Sequence, residues 1–406
     1  MIGMDYINSG VCAAKGFSAA GIHCGIRKNK TKKDLALIVS DVAATAAAVY
    51  TTNLVKGAPL VVTKKNLSDG RAQAIICNSG IANTCSENGE QTAFEMCELV
   101  ERHTGVKGGD VVVASTGVIG QPLNIEPIAD GMERLVERLG DNSKDAAHAI
   151  MTTDTVLKEA AVSFDIGGKK CRMGGIAKGS GMINPNMATM LVFITSDVKI
   201  SEQALRTALS ADAADTFNMI NIDGDTSTND MVVILANGLS ENDEIDGEGE
   251  DFDTFCSALN HLTSYLSRMI AKDGEGASKL LECIVQGAAD IGTARKAAKS
   301  VVSSNLLKAA MFGADANWGR VLCAIGYGGA NVDVEKVDIS FKSVVGDILV
   351  CKNGKGVDFS EEHAKEILLR DEIQIIIDLK SGDFKATAWG CDLTYDYVKI
   401  NGDYRT

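Results

Sequence analysis

The chain has 406 residues, of which 45% are hydrophobic, 23% charged and only 5% aromatic. That length suffices for two or three domains with buried cores, and the ordinary apolar content excludes a disordered or low-complexity chain. Forty basic against 54 acidic side chains give a net charge of −14, which sets the chain against nucleic acid and anionic membranes; its densest basic run, Lys28, Lys30, Lys32 and Lys33, is short.

In chain order, apolar runs predict strands at 35–39, 74–77, 111–114, 191–195, 231–236, 321–325, 337–341 and 373–379. Helical periodicity and caps predict helices at 92–103, stopping near Gly105, and at 128–139, before Gly140. Further helices are predicted at 202–214 after a Ser201 N-cap, at 255–271, at 294–311, and at 361–369 after Ser360. The mixture predicts an α/β or α+β fold, with antiparallel pairs where strands follow one another directly. The acidic segment 241–253 carries eight carboxylates and reads as a solvated loop joining a strand to a helix. No repeat of fixed period and no Pro-rich or Ser-rich linker divides the chain.

Eleven cysteines are scattered with no C-x-x-C pair, so neither a redox motif nor a zinc site is expected. Many lie in apolar runs, as Cys323 does, which predicts buried, reduced thiols and a cytoplasmic setting. Asp5, with no basic residue before Lys15, argues against a secretory signal. The five histidines show no metal-ligand spacing, and Ser180 lacks a Gly-x-Ser-x-Gly context. Lys178-Gly179-Ser180 has the wrong order for a phosphate loop, because Ala177 precedes the lysine. Asp223 and Asp225 resemble a magnesium phosphotransferase pair but fail the EF-hand pattern at Thr228 and Ile234; an Asp-rich structural turn is the better reading.

The longest uncharged stretch runs for eighteen residues, 179–196. Asn184, Pro185 and Asn186 lie inside it, so it is read as a specific loop and not a membrane span. Over 174–191, four glycines at 174, 175, 179 and 181 permit tight backbone, and Thr189 stands at the mouth of the apolar run 191–195. On pattern alone, Thr189 could be no more than a strand-entry residue after a glycine-rich turn.

This segment, Lys178-Gly179-Ser180-Gly181-Met182-Ile183 followed by Pro185-Asn186-Met187-Ala188-Thr189-Met190-Leu191, closely resembles the self-cleaving glutamate N-acetyltransferases, or ornithine acetyltransferases, of arginine biosynthesis. The likeness continues in order through Asn78-Ser79-Gly80, Ser115-Thr116-Gly117, Met151-Thr152-Thr153-Asp154-Thr155, Asp223 to Asp230, Asp273-Gly274-Glu275-Gly276, Asn317-Trp318-Gly319-Arg320 and Asn401 to Thr406. Asn184 replaces a frequent His and Ile81 a more usual Asn, and neither touches the residues of the implied chemistry.

The resemblance implies a fold of two α/β lobes and a precursor that cuts itself between Ala188 and Thr189, giving fragments 1–188 and 189–406. Thr189 then becomes an N-terminal nucleophile whose own α-amine, titrating near about 8, serves as base. Thr116 and Gly117 are implied as the oxyanion hole, where one donor is typically worth about 3–4 kcal/mol. Thr152, Lys178, Thr189, Glu275, Asn401 and Thr406 are implied to line the substrate site, Lys178 suiting a carboxylate and Glu275 a cation. The implied reaction is ping-pong: N-acetylornithine acetylates Thr189, ornithine leaves, and glutamate takes the acetyl group. No metal or organic cofactor is implied, two copies of each fragment are expected to assemble, and whether acetyl-CoA also serves as donor stays open. The rival readings are an aminopeptidase or amidase of the same fold, the phosphotransferase built on Asp223 and Asp225, and a non-catalytic binding protein.

Overall fold

A computed structural model describes residues 4–184 and 190–403. Its chain forms two compact units, each with its own sheet and helices. Among the described residues the first unit takes in 4–179, 190–214 and 226–266, and the second takes in 180–184, 215–225 and 267–403.

The first sheet runs Asp5–Ile7, Lys158–Ile166, Lys169–Lys178, Leu191–Ser196, Met231–Ala236, Leu35–Tyr50, Arg71–Ile81, Val111–Val118, with Phe17–Ile22 added against Leu35–Tyr50. Two neighbouring pairs are parallel, Leu191–Ser196 with Met231–Ala236 and Arg71–Ile81 with Val111–Val118. Their apolar runs are unbroken because both faces are covered. Leu35, Leu37, Ala74, Ile76, Val111 and Val113 enter one core with the helices Gly89–Thr104 and Glu126–Val136. The alternate residues Ala36, Ile38, Ile75, Cys77, Val112 and Ala114 enter another with helix Ser143–Ile150. A division at 188/189 does not follow these units: Leu191–Ser196 lies beyond it yet sits inside the first sheet.

The second sheet runs Lys355–Gly356, Gly346–Lys352, Asp338–Ser343, Glu372–Asp378, Leu280–Ala288, Phe384–Cys391, Ile220–Asn221. Glu372–Asp378 shows strict alternation, with Ile373, Ile375 and Ile377 buried and the residues between them only half-buried.

Three expectations are corrected. Residues 321–325 are helical, inside Trp318–Tyr327, because the Asn317 side chain caps Arg320 N–H and the buried set Val321, Ala324, Ile325 has helical spacing. Cys323, on the other face of that helix, is therefore exposed and not buried. The helix expected at 294–311 is two, Ile291–Ser303 and Asn305–Phe312, because Ser304 adopts extended backbone and its hydroxyl caps Leu307 N–H. Helix 255–271 exists as Glu250–Lys272, and Ser360 caps Glu361–Leu368 through His363 N–H. Among the described residues no helix is long and apolar enough to cross a membrane.

Candidate active site

The first unit gathers polar residues where two parallel strands end, the position at which α/β sheets favour ligands. In the register of Arg71–Ile81 with Val111–Val118, Ser79 faces Thr116 and Gly80 faces Gly117. Gly117 has φ 131°, and a Cβ there would lie 2.2 Å from the carbonyl carbon of Gly80, so only glycine fits. Behind this turn, Asn229 Nδ2 donates to the carbonyls of Ala82 (2.6 Å) and Ser115 (2.9 Å). Its Oδ1 accepts from the hydroxyls of Thr84 and Thr228, each at 2.5 Å. The Ser115 hydroxyl donates to Asn78 Oδ1 at 2.6 Å. Buried amides and hydroxyls thus hold the strand end that presents Thr116, itself 9% exposed.

Thr152 follows helix Ser143–Ile150. Its N–H donates to Asp154 Oδ2 at 2.9 Å, while Asp154 Oδ1 accepts from Lys158 Nζ (2.8 Å) and Gly179 N–H (2.7 Å). Burial works to raise the Asp154 carboxyl, but the charges of Lys158 and Lys178 and these hydrogen bonds outweigh it. They hold the group well below the usual carboxylate range. One carboxylate therefore fastens Thr152 and the residue after Lys178 together. Lys178, also 9% exposed, ends strand Lys169–Lys178 opposite Leu191. Ala188, Thr189 and Thr406 lie outside the described residues.

Glu275 and Asn401 belong to the second unit. Glu275 N–H donates to the Ser180 carbonyl at 2.8 Å, and the Ser180 hydroxyl donates to the Asp273 carbonyl at 2.6 Å. The Glu275 carboxyl group rests on Gly181, where a Cβ would stand 2.3 Å from it. Asn401 Nδ2 donates to Glu275 Oε2 at 2.8 Å. Helix Tyr395–Gly402 brings it there: Thr394 Oγ1 donates to the Gly276 carbonyl (2.6 Å) and accepts from Asp396 N–H (3.2 Å). Gly276, at φ 69°, leaves room for the helix start, since a Cβ would lie 2.6 Å from Tyr397 N.

Asp223 accepts from the N–H groups of Met182 (2.5 Å), Ile183 (2.8 Å) and Asp225 (3.3 Å) and is hydrogen-bonded by the Tyr397 side chain. Its carboxylate is spent on holding the loop, as a structural turn requires, and does not stand open for attack on phosphorus. Among the described residues no three His, Cys, Asp or Glu side chains gather as a metal site.

Asp154 was legible only as a member of a motif, and Tyr397 carried no signal at all. The four-residue spacing of Asp154 and Lys158 is visible in the sequence, but nothing local says that both are buried. Burial, then the charges of Asp223, Glu275 and Asp225, push the Tyr397 phenol up.

The ArgJ family model matches residues 18–406. An arginine biosynthesis bifunctional protein ArgJ of Caldanaerobacter subterraneus subsp. tengcongensis is 50% identical over 405 residues, 99% of this chain and 100% of its own length. ArgJ 1 of Clostridium acetobutylicum is 49% identical over 392 residues, 96% of each chain. A crystal structure of ArgJ from Bacillus halodurans is 48% identical, with a TM-score of 0.50, over 53% of this chain and 99% of the solved one.

Proposed function

This chain belongs to the ArgJ family, and from that premise we propose that it is an acetyltransferase of arginine biosynthesis, moving acetyl from N-acetylornithine to glutamate. The observation that carries the reading is the family match over residues 18–406. The buried Thr116 beside Gly117, and the buried Lys178 whose charge acts on Asp154, support it on chemical grounds.

The precursor cleaves when the Thr189 hydroxyl attacks the Ala188 carbonyl carbon. The C–N bond breaks as the acyl group shifts to oxygen, which frees the Thr189 α-amine, and water then hydrolyses the ester to an Ala188 carboxylate and the Thr189 hydroxyl. In turnover that amine takes the hydroxyl proton as Thr189 oxygen attacks the acetyl carbonyl of the donor. Thr116 hydroxyl and Gly117 N–H stabilise the tetrahedral oxyanion, the geometry of the glycine turn preorganising both. The C–N bond breaks and ornithine departs with the proton. The glutamate amine then attacks the acetyl-threonine ester, giving its proton to the α-amine, which returns it to the Thr189 oxygen as the acetyl C–O bond breaks and N-acetylglutamate leaves. Lys178 and Thr152 hold the substrate α-carboxylate, and Glu275 with Asn401 takes the donor's side-chain ammonium.

That 99% of the Bacillus halodurans chain matches only 53% of this one supports a two-fragment enzyme. Denaturing gels with N-terminal sequencing are expected to give two bands, the second beginning at Thr189, and Thr189→Ala is expected to give one inactive band. With acetyl-labelled N-acetylornithine, label is expected in N-acetylglutamate. Label appearing only as acetate would establish an amidase instead. Sedimentation is expected to show two copies of each fragment in one assembly.

A further inference from the structure

We propose that Arg27 is a positioning residue for substrate binding, fixing together with Asp154 the peptide group that presents Thr152. The inference rests on the acetyl-transfer reading above. A single peptide, Met151–Thr152, is gripped at both ends. Its carbonyl accepts from the Arg27 guanidinium, and its N–H donates to Asp154 Oδ2 at 2.9 Å. A cation at the oxygen and an anion at the nitrogen both act along the peptide dipole. Charge-assisted bonds of this kind are about twice as strong as neutral ones. Turning the peptide to swing Thr152 away breaks both.

Arg27 is well placed to do this. Its own N–H donates to Asp34 Oδ2 at 3.0 Å, and the fully buried Asp34 also accepts from Cys24 N–H at 2.6 Å. Its stem lies against Gly80, the partner of Gly117: a Cβ on Gly80 would stand 3.0 Å from Arg27 Cγ. Next to Gly80, the Ser79 hydroxyl donates to the Ala149 carbonyl at 2.5 Å. The last turn of helix Ser143–Ile150 is thus tied twice to the strand that faces Thr116, once by Ser79 and once, through Met151, by Arg27. Arginine at a helix C-terminus is also favoured by the helix dipole. Burial pushes the Cys77 thiol up, and the charges of Lys178 and Arg27 both oppose it.

The test is steady-state kinetics on the processed full-length enzyme, with unfolding midpoints recorded for each variant. Because Thr152 acts in binding, Arg27→Met is expected to raise KM for N-acetylornithine and for glutamate about tenfold, with kcat changed less than about threefold. Arg27→Lys keeps a cation for the Met151 carbonyl and is expected to return KM to within about threefold of wild type. Arg27→Gln gives the same readout should the Met variant fail to fold. Unchanged KM in the neutral variants, a fall in kcat alone, or no rescue by lysine would each overturn the role. Wild-type enzyme that transfers no acetyl group would overturn the proposed function itself, whereas transfer with unaltered KM in Arg27→Met sinks only Arg27.

Discussion

The carboxylates beside the candidate site residues are held by different means in the two units, Asp154 in the first and Asp223 in the second. In the first, charge is set against charge in the interior, with Asp154, Lys158 and Lys178 all buried and mutually interacting. In the second, carboxylates are matched to main-chain donors: Asp223 to the N–H groups of Met182 and Ile183, and Asp392 to those of Ser278 (2.8 Å) and Lys279 (2.9 Å). An interior ion group is costly to break, because removing one member strands the others without solvent. A carboxylate resting on backbone N–H groups fixes a loop at smaller stake. Each unit also depends on a glycine, and the partners differ. Gly117 abuts the Gly80 backbone, which cannot yield, whereas Gly181 abuts the end of the Glu275 side chain, which can.

The largest effect expected from breaking this contrast is at Gly117. Gly117→Ala places a Cβ against main chain at positive φ, and kcat/KM for acetyl transfer is expected to fall more than about 100-fold with the turn displaced. Near-wild-type turnover in that variant would remove the oxyanion assignment. Next comes Asp154→Asn, expected to destabilise the chain by about 3–5 kcal/mol in denaturant unfolding because Lys158 keeps a buried charge without its partner.

The same carboxylate predicts a pH signature. Its folded-state pKa is depressed, so its stabilisation is complete above the ordinary carboxylate range of about 4 and is lost as pH falls below it toward the folded value. Asp154→Asn should flatten that acid limb. A variant with an unchanged limb would show that another group governs it. The smallest change in stability is expected at Gly181→Ala, within about 1 kcal/mol. There the Glu275 carboxylate must move, so KM for N-acetylornithine should rise while stability barely shifts. A loss of stability as large as that of Asp154→Asn would erase the distinction between the units.

Much of the fold was legible because it follows from local rules. The apolar runs at 111–114 and 231–236 are strands, and Ser360 caps its helix as its position implies. The run 321–325 misled because a short apolar stretch has no period of its own. Asn317 and the buried stripe of Val321, Ala324 and Ile325 decide it as helix. Strands Lys158–Ile166 and Lys169–Lys178 went unread, since lysines and glycines dilute their alternation and only pairing with their neighbours secures them.

At the site, the sequence by itself determined the inventory: which hydroxyls, carboxylates, lysines and glycines are available, in what order, and which family they resemble. Tertiary structure alone decided what each is doing. Arg27 and Asp154 are separated by more than a hundred residues, yet they grip opposite ends of one peptide. Burial makes Asp154 an anchor, and a backbone contact makes Gly117 irreplaceable. The reason is physical. Propensity and capping act within a few residues, whereas desolvation, charge pairing and close packing depend on neighbours that only the folded chain brings into reach.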